Sequence, residues 1–440
     1  MKKIVQFINS IYFIILVNLI AILFWYLKEP FIAYLIYLVF CIVIMLTKAN
    51  RAAIASIILC AIITYRVDDD ASVSLHSSYA KMLIPLGAVL IILFIVDIAR
   101  KKSRFKLSSM FYAFLGLVIV NIFSFINIRS KEISYYAILG ILQLLGFLIA
   151  YVYILNTHDN NGKKYISSVA LITATAITIE LVINYFTLVG NVEKSSNDLY
   201  WAVSNSIAMF YLILMPIGLY NYFKDQKNFY ILLLSGFNFF MMLYMLSRGA
   251  YLSLAIMLIP ILIIFYKMAK DKKRLLIDAV TTLIICIVVA YFYGTKFGLI
   301  DMIIEYFNRV DFLDQNGRGN LLLVGWELFK ENPIFGAGAY SGAYYLKEHS
   351  VGTYHNYIVQ TIATTGVVGL IGLLYFIYTA IKTAFKKDCY NILFLISFIY
   401  ILIHGMLDNT IYNPIIMIFL AITMPLLETY HENLEDFEIN

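Results

Sequence analysis

The chain has 440 residues, of which 62% are hydrophobic and 14% charged, with a formal net charge of +6 and a mean hydropathy of +0.83. Soluble proteins carry about 25% charged residues, which cover their surface, so this composition excludes a water-soluble fold. It predicts an all-α, polytopic integral membrane protein whose partner along most of its length is the lipid bilayer.

A transmembrane helix needs about 20 mostly apolar residues. Fourteen stretches approach this length and predict 12 to 14 transmembrane helices; the third is the shortest. The N-terminal stretch starts like a signal peptide, but it is too long and lacks a cleavage site, so we expect it to remain as the first span. The predicted spans are 4–26, 30–47, 51–65, 80–99, 108–128, 133–155, 165–190, 199–223, 228–246, 249–267, 275–293, 355–381, 389–405 and 411–427.

Basic residues predict the orientation, because cytoplasmic loops retain Lys and Arg. With the N-terminus inside, the inner segments hold 21 of the 33 Lys and Arg residues, and the short outer loops hold seven. Two inner loops, 100–106 and 267–274, hold five basic residues each. The charge distribution therefore predicts a cytoplasmic N-terminus.

These boundaries divide the chain into four predicted parts: a transmembrane bundle over 1–293, an external loop over 294–354, C-terminal transmembrane helices over 355–427 and a cytoplasmic tail over 428–440. Within the external loop, apolar residues recur at spacings of three and four, which predicts an amphipathic helix along the interface. Its predicted apolar face comprises Leu321, Leu322, Gly325, Trp326 and Phe329.

Arg248 is a basic residue between two apolar spans, on the predicted outer side. It can snorkel to the lipid headgroups. It also opens the tenth predicted span, whose first N–H groups favour an anion, and a guanidinium grips phosphate oxygens in pairs. Arg248 is therefore a candidate phosphate ligand.

Arg318 lies between two glycines at the start of the predicted amphipathic helix. Glycines let a large anion approach the backbone, so Arg318 is a second candidate phosphate ligand, with a solvated loop residue as the alternative. Arg309 is a third candidate, although neither a glycine nor a helix start accompanies it.

His355 lies where the external loop re-enters the membrane, followed by Asn356. A helix N-terminus disfavours a cationic ring, so a neutral imidazole that accepts a proton is the expected form, as a general base requires. The alternative is an interfacial histidine bonded to backbone. His349 is a substitute base, and His404 and Asp408 either orient the site or, as the sequence favours, pack in the core.

Other polar residues leave their roles open. Glu180 lies inside the seventh span and requires a partner there, as a proton relay, a structural hydrogen-bond acceptor or part of the site wall. The cluster Asp68, Asp69 and Asp70 suits either a divalent cation or, more commonly, a solvated loop. The four cysteines have no paired spacing and are expected to act as small apolar residues.

The sequence lacks the GxxxxGK[ST], HExxH and GxSxG motifs, which excludes nucleotide-driven and hydrolytic enzymes of those types. It also shows no internal repeat, which argues against a lipid-oligosaccharide flippase or other transporter built from pseudo-repeats.

Over residues 240–375 the chain resembles the superfamily of O-antigen ligases and polymerases, bacterial membrane enzymes that transfer glycans from an undecaprenyl pyrophosphate carrier. The resemblance rests on motifs in a fixed order. They are Ser247-Arg248-Gly249-Ala250, Gly317-Arg318-Gly319, Trp326-Glu327-Leu328-Phe329, Asn332-Pro333-Ile334-Phe335-Gly336-Ala337-Gly338, His355-Asn356 and Thr365-Gly366-Val367-Val368-Gly369.

The resemblance implies a metal-independent, inverting glycosyltransferase without cofactors. Arg248 and Arg318 would bind the pyrophosphate, with Asn356 and Arg309 as further substrate-binding residues, and His355 would accept the proton of the acceptor hydroxyl. The implied partners are the lipid-linked oligosaccharide and the chain-length regulator and flippase proteins of the same pathway, with no nucleic acid. The implied location is the bacterial inner membrane, with the active site on the periplasmic or extracellular side.

Within this superfamily the number of predicted spans favours a polymerase of O-antigen or capsule repeat units. A ligase that joins the glycan to lipid A core or a similar acceptor is the first alternative. A flippase or other transporter and a metal-dependent sugar transferase that uses Asp68 to Asp70 are further alternatives.

Overall fold

The computed structural model describes residues 1–66, 78–100, 106–128, 130–159, 161–187, 194–309, 318–347, 352–386 and 388–428. Within these ranges the chain is helical, without strands, and an isolated bridge pairs Leu199 with Ala202. The all-α prediction is confirmed.

The helices of the first half follow the predicted apolar stretches closely. They are α1 Lys2–Ile8, α2 Ile11–Leu27, α3 Pro30–Leu46, α4 Ala53–Ile63, α5 Ser78–Arg100, α6 Ser109–Phe123, α7 Lys131–Thr157, α8 Gly162–Thr187, α9 Ser204–Gly218 and α10 Tyr220–Lys224.

In the second half, six helices match predicted spans, and α14, α15 and α16 lie between them. The helices are α11 Phe229–Tyr244, α12 Arg248–Met268, α13 Lys272–Lys296, α14 Leu299–Arg309, α15 Arg318–Glu331, α16 Gly342–Tyr345, α17 Tyr357–Ala384, α18 Cys389–Gly405 and α19 Pro414–Thr423. Short 3₁₀ helices at Ser124–Asn127, Lys194–Asn197, Thr410–Tyr412 and Met424–Leu427 complete the described elements.

Among the described residues, seven helices are long and apolar enough to cross a membrane, or eight if α1 and α2 form one span. Five shorter apolar helices of 10–17 residues accompany them: α3, α4, α11, α18 and the α19 segment. A multi-pass membrane protein is therefore supported, and the count of 12 to 14 spans stays a prediction.

The structure differs from the sequence predictions in two places. The first span is not continuous, because the chain bends by 66° between α1 and α2, where Asn9 and Ser10 interrupt the helix. The strongly amphipathic helix α14 was not predicted; it buries Leu299 and Met302 and exposes Asp301 and Glu305.

The centre of the bundle lies at α9 and α10, where 89% of the most apolar window is buried inside the protein. At α12 and α13 the corresponding shares are 22% and 17%, so these two helices lie at the periphery. Their apolar side chains, such as Ile259 and Phe292, are exposed and face lipid in a membrane. Arg248 therefore begins a lipid-facing helix.

Helix α17 is interrupted at Gly366, whose φ of 67° and ψ of −160° are not helical. The segment 333–338 inserts at this break and takes up the backbone groups that the helix leaves free. The N–H groups of Ala337 and Gly338 donate to the carbonyls of Ala363 and Thr364 at 2.9 and 3.0 Å. Buried backbone groups require such partners, above all in a membrane.

Both backbone segments at this junction require a glycine. A Cβ on Gly336 would lie 2.3 Å from the backbone carbon of Thr364, and a Cβ on Gly366 would lie 2.3 Å from the carbonyl oxygen of Ile334. The φ of Gly336 is also positive, at 68°. The two glycines thus permit a backbone-to-backbone contact that any side chain would prevent.

A helix, α15, forms where the amphipathic helix was predicted, but its buried face differs from the prediction. Leu321, Gly325 and Leu328 are buried, whereas Trp326 is 46% exposed. A Cβ on Gly325 would lie 2.5 Å from a Val359 methyl carbon, so α15 packs closely on the first half of α17. Because α15 packs on α17 through Gly325, Trp326 lies outside the buried face of α15.

Helices α8 and α18 define the two ends of the bundle. Near the start of both, the Lys163 ammonium pairs with the Asp388 carboxylate at 2.6 Å. At the other end, α18 finishes with His404 and Gly405, while α8 is followed by Lys194. With a rise of about 1.5 Å per residue, α8 spans roughly 39 Å, so the two ends are separated by a membrane thickness.

We expect Gly366→Ala and Gly336→Ala to destabilise the protein, because each adds overpacking of about 1–3 kcal/mol to backbone strain of about 1–3 kcal/mol. The midpoint of thermal unfolding in detergent is measurable with a thiol-reactive dye, since all four cysteines are free and buried.

The matched control is Gly116→Ala in α6, where the added Cβ meets no atom within 4 Å. This variant should keep or slightly raise the unfolding temperature. Equal unfolding temperatures for all three variants would contradict the backbone contact.

Candidate active site

The N-terminus of α12 presents Arg248 at a strained turn. Leu246 has a φ of 51°, an uncommon value for a branched side chain, and Ser247 caps the helix by accepting from the Ala250 N–H at 3.3 Å. Strained residues often lie at functional sites. The turn therefore marks the start of α12 as a candidate functional position.

Gly249 brings this helix start against α18. A Cβ at Gly249 would lie 2.9 Å from both Cδ2 and Nε2 of His404, so the ring lies directly on the glycine. The other ring nitrogen, Nδ1, is 2.7 Å from the Thr410 hydroxyl. The tripeptide Ser247-Arg248-Gly249 thus combines a cap, a cation and a site of close packing.

His355 precedes α17 with a φ of 49°, a second strained residue at the same site. Asn356 caps α17, because its Oδ1 accepts from the N–H groups of Ile358 and Val359 at 2.9 and 3.1 Å. Its Nδ2 donates to the Met406 carbonyl at 3.0 Å, which ties the start of α17 to the turn after α18. The structure therefore gives Asn356 a capping and bridging role, and its substrate binding stays a prediction.

That turn carries Asp408, whose Oδ1 lies 3.0 Å from Nδ1 of His355. Both side chains are partly buried, with 24% of His355 and 22% of Asp408 exposed. In a neutral ring, an Nδ1–H that donates to the carboxylate leaves Nε2 as an acceptor. The contact thus prepares His355 to take up a proton.

Asp408 is held as an anion. Burial alone would raise the pKa of its carboxyl, but the hydrogen bond from His355, the nearby His404 and His355 rings and the Asn409 N–H outweigh burial and lower this pKa to about 2. The carboxylate is therefore ionised at any physiological pH and can hold the His355 ring throughout.

Arg248 and Asp408 line one cavity of about 210 Å³. His404 and Lys194 line it too, as do Asn205 and Ser247. The cavity thus combines two cations, one carboxylate that contacts His355, and neutral polar groups. The structure brings Arg248 and His355 to one site through Asp408, a group suited to an anionic ligand beside a base.

The other candidate site residues lie partly or wholly outside the residues that the structure describes. Arg318 begins α15 and Arg309 ends α14, but both side chains lie outside the described residues. His349 and the cluster Asp68 to Asp70 also lie outside them. Their predicted roles stay predictions.

Glu180 has the partner that the sequence required. It is fully buried, and its Oε2 accepts from the Trp201 indole N–H at 3.0 Å. The nearby Arg66 guanidinium lies over the rings of Trp25 and Tyr200, at 4.5 and 4.7 Å from their centroids. Because Trp201 precedes Asn205 of the cavity by one turn of chain, this contact supports the loop that enters the site.

Sequence reasoning missed Lys194, Asn205 and the contact of Asp408. Lys194 lies in the α8–α9 connection and Asn205 near the start of α9, far in sequence from Arg248, and the packing of α9 on α18 brings this region to the cavity. For Asp408 the sequence favoured a packing role, whereas the structure joins it to His355. The signal in the sequence was a carboxylate four residues after the intramembrane His404, just beyond the end of the same predicted span.

Comparison with known families adds an independent observation. A family model described as O-antigen ligase matches residues 230–374. The match covers about a third of the chain. No curated protein matches the chain. The match confirms the resemblance predicted for 240–375, and it supports a function of the general O-antigen ligase and polymerase type.

The matched region runs from α11 into α17, past the break at Gly366, and includes Arg248 and His355. Lys194, His404 and Asp408 lie outside it, in the elements on either side. The site is therefore assembled by packing the matched region against helices that the family match does not cover.

The low pKa of Asp408 predicts a pH dependence of stability. Because the folded pKa of about 2 lies below the unfolded value of about 4, the carboxylate stabilises the fold fully above about pH 4 and loses this contribution as pH falls towards 2. Between pH 5 and pH 2.5, the unfolding temperature of the wild type should therefore fall more steeply than that of Asp408→Asn.

Other carboxylates titrate in both proteins, so the difference between the two curves isolates Asp408. Parallel curves would show that the His355–Asp408 contact does not stabilise the folded state.

Proposed function

We propose that the chain is a membrane glycosyltransferase that polymerises undecaprenyl-pyrophosphate-linked oligosaccharide units, such as O-antigen or capsular repeats, at the external face of the cytoplasmic membrane. The observation that carries this proposal is the His355–Asp408 contact beside a cavity that Arg248 and Lys194 line. The match to the O-antigen ligase family model supports the reaction class.

His355 acts as the general base in this proposal. With Nδ1 held by Asp408, Nε2 accepts the proton of an acceptor sugar hydroxyl. The hydroxyl oxygen attacks the anomeric carbon, and the bond from that carbon to the pyrophosphate oxygen breaks. The electron pair leaves with the pyrophosphate, and attack from the opposite face inverts the anomeric centre.

Arg248 and Lys194 bind the pyrophosphate in the cavity and neutralise the charge that grows as it leaves. Arg318 adds a third cation from the start of α15, where the first backbone N–H groups also favour an anion. Because pyrophosphate is already a capable leaving group, positioning, charge neutralisation and one base suffice for the reaction, and the proposed mechanism uses no metal.

The lipid-facing position of α12 supports a lipid-linked donor. Arg248 begins this helix, and exposed apolar side chains, including Ile256 and Ile263, continue along it into the bilayer. A polyprenyl tail can therefore lie on α12 while its headgroup reaches the cavity from the side.

The distribution of basic residues supports the external location of the cavity. Lys163, Lys164 and Lys224 lie at the end of the bundle opposite the catalytic cavity. Because the basic end of a membrane protein faces the cytoplasm, the cavity end is proposed to face outward.

A ligase is the second candidate, because the matching family is described as O-antigen ligase. Purified protein with a lipid-linked repeat unit, EDTA and no second acceptor distinguishes the two. A ladder of longer glycans on a gel supports the polymerase, and transfer only after addition of lipid A core supports the ligase. No product without added metal, and full product with it, would reject the metal-independent mechanism.

We expect His355→Ala to lower the rate of glycan transfer by at least about 10²-fold, since a general base contributes about 10²–10⁴. Arg248→Ala and Arg318→Ala should abolish the product. All three variants should retain the wild-type unfolding temperature within a few degrees, because the residues lie at the surface of the cavity or at helix starts.

The matched controls lie at the opposite end of the bundle: His158→Ala after α7 and Arg274→Ala in α13. Both should keep the transfer rate. Full-length product from all three site variants would refute the site.

Lys194→Ala should raise the KM for the lipid-linked donor about tenfold or more, because a hydrogen bond to a charged group contributes about 1.5–3 kcal/mol. Lys194→Arg should restore most of the affinity. The exposed Lys330→Ala, on α15, is the control and should leave KM unchanged. An unchanged KM in Lys194→Ala would remove Lys194 from the diphosphate site.

A further inference from the structure

A second cavity, of about 1180 Å³, lies at the end of the bundle opposite the catalytic site. Its lining comes from the starts of α2, α8 and α11, from α10 and from the α7–α8 connection. The volume exceeds the range of about 300–1,000 Å³ that holds most small soluble ligands. The proposed glycosyl transfer uses none of these residues.

The mouth of this cavity is basic and polar. Lys163, Lys164 and Lys224 line it together with several asparagines. Lys163 forms an ion pair with Asp388, and the Lys224 ammonium lies 5.6 Å from the centre of the Tyr220 ring. The Lys164 side chain is exposed. The mouth thus presents a group of ammonium donors suited to a phosphate.

Two carboxylates also line the mouth, but backbone N–H groups engage them. Asp159 accepts from the Asn161 N–H at 3.0 Å, and Asp225 accepts from the Lys227 N–H at 3.2 Å. Each carboxylate thereby holds a turn beside the cavity. Their second oxygens suit the hydroxyl groups of a ligand rather than its phosphate.

The depth of the cavity is apolar. On α8, Lys164, Ser168, Leu171 and Ile172 line it at spacings of four, three and one, so they share one face of the helix. From Lys164 to Ile172 the helix rises about 12 Å. Over this distance the face changes from charged to hydroxylic to aliphatic, the order in which a phospholipid passes from headgroup to acyl chain. Ile14 of α2 and Ile231 of α11 extend the aliphatic part.

The bend between α1 and α2 forms part of the rim. Asn9 and Ile11, on either side of this 66° bend, both line the cavity. A continuous first helix would run on past this point along the axis of α2. The interruption that contradicted the predicted first span therefore shapes the cavity mouth.

We propose that this cavity binds an anionic phospholipid of the leaflet opposite the catalytic site, with the phosphate at Lys164 and Lys224 and the acyl chains along Leu171 and Ile172. Basic pockets between transmembrane helices are suited to such headgroups. The proposal does not depend on the glycosyl transfer, since the two cavities share no lining residue.

The test measures the thermal unfolding of the delipidated protein in detergent with added phosphatidylglycerol, phosphatidylcholine or inorganic phosphate. Phosphatidylglycerol should raise the unfolding temperature of the wild type, as expected for a ligand of the folded state, and phosphatidylcholine should raise it less. The double variant Lys164→Gln/Lys224→Gln should lose at least half of the phosphatidylglycerol shift.

The control is Lys273→Gln, an exposed lysine near the start of α13 that does not line the cavity; it should keep the full shift. An equal shift with inorganic phosphate would assign the cavity to a soluble phosphate and overturn the lipid proposal. Equal shifts with both lipids, or a full shift in the double variant, would overturn it as well. If the double variant unfolds without lipid, the single variant Lys164→Gln is tested by native mass spectrometry. Loss of bound phosphatidylglycerol supports the proposal, and full retention overturns it.

Discussion

The geometry around the candidate site depends on one backbone contact, between the segment 333–338 and the break in α17. A helix interrupted inside a membrane leaves N–H and C=O groups without partners. This segment supplies partners for the carbonyls of Ala363 and Thr364 and for the N–H groups of Val367 and Val368. Neighbouring bonds from Asn127 to the Gly336 carbonyl and from the Ala339 N–H to Ser124 fix the segment to the end of α6 as well. Because α15 and His355 lie on either side of this junction, its position sets theirs.

The candidate site combines elements that are distant in sequence, and each contributes a different chemical group. The start of α12 gives a cation, the start of α17 gives the proposed base, and the turn after α18 gives the carboxylate that contacts this histidine. Two strained residues, Leu246 and His355, lie at the helix starts that present these groups. Strain at both places is consistent with a site whose geometry is maintained by the surrounding packing.

Composition was sufficient to predict the fold class. The lengths of the apolar stretches also predicted where the helices lie, because a helix that crosses lipid needs a long apolar stretch, and every predicted span contains a helix. Arg248 and His355 were chosen as candidates from sequence, since each is a polar residue at a helix start next to a membrane, and their roles stay predictions. The bend at Asn9, the helix α14 and the break at Gly366 were not predicted. These depend on contacts between distant segments, which hydropathy does not report, and Asp408 was recognised as a partner of His355 only once α17 and α18 were placed together.

The peripheral position of α12 and α13 has a kinetic consequence. In the proposed reaction, a carrier confined to the bilayer would approach these helices by lateral diffusion in two dimensions and would reach Arg248 without entering water. The encounter rate then scales with the surface density of the carrier among other lipids, so the saturation behaviour of the reaction is properly expressed in mole per cent of lipid instead of bulk molarity.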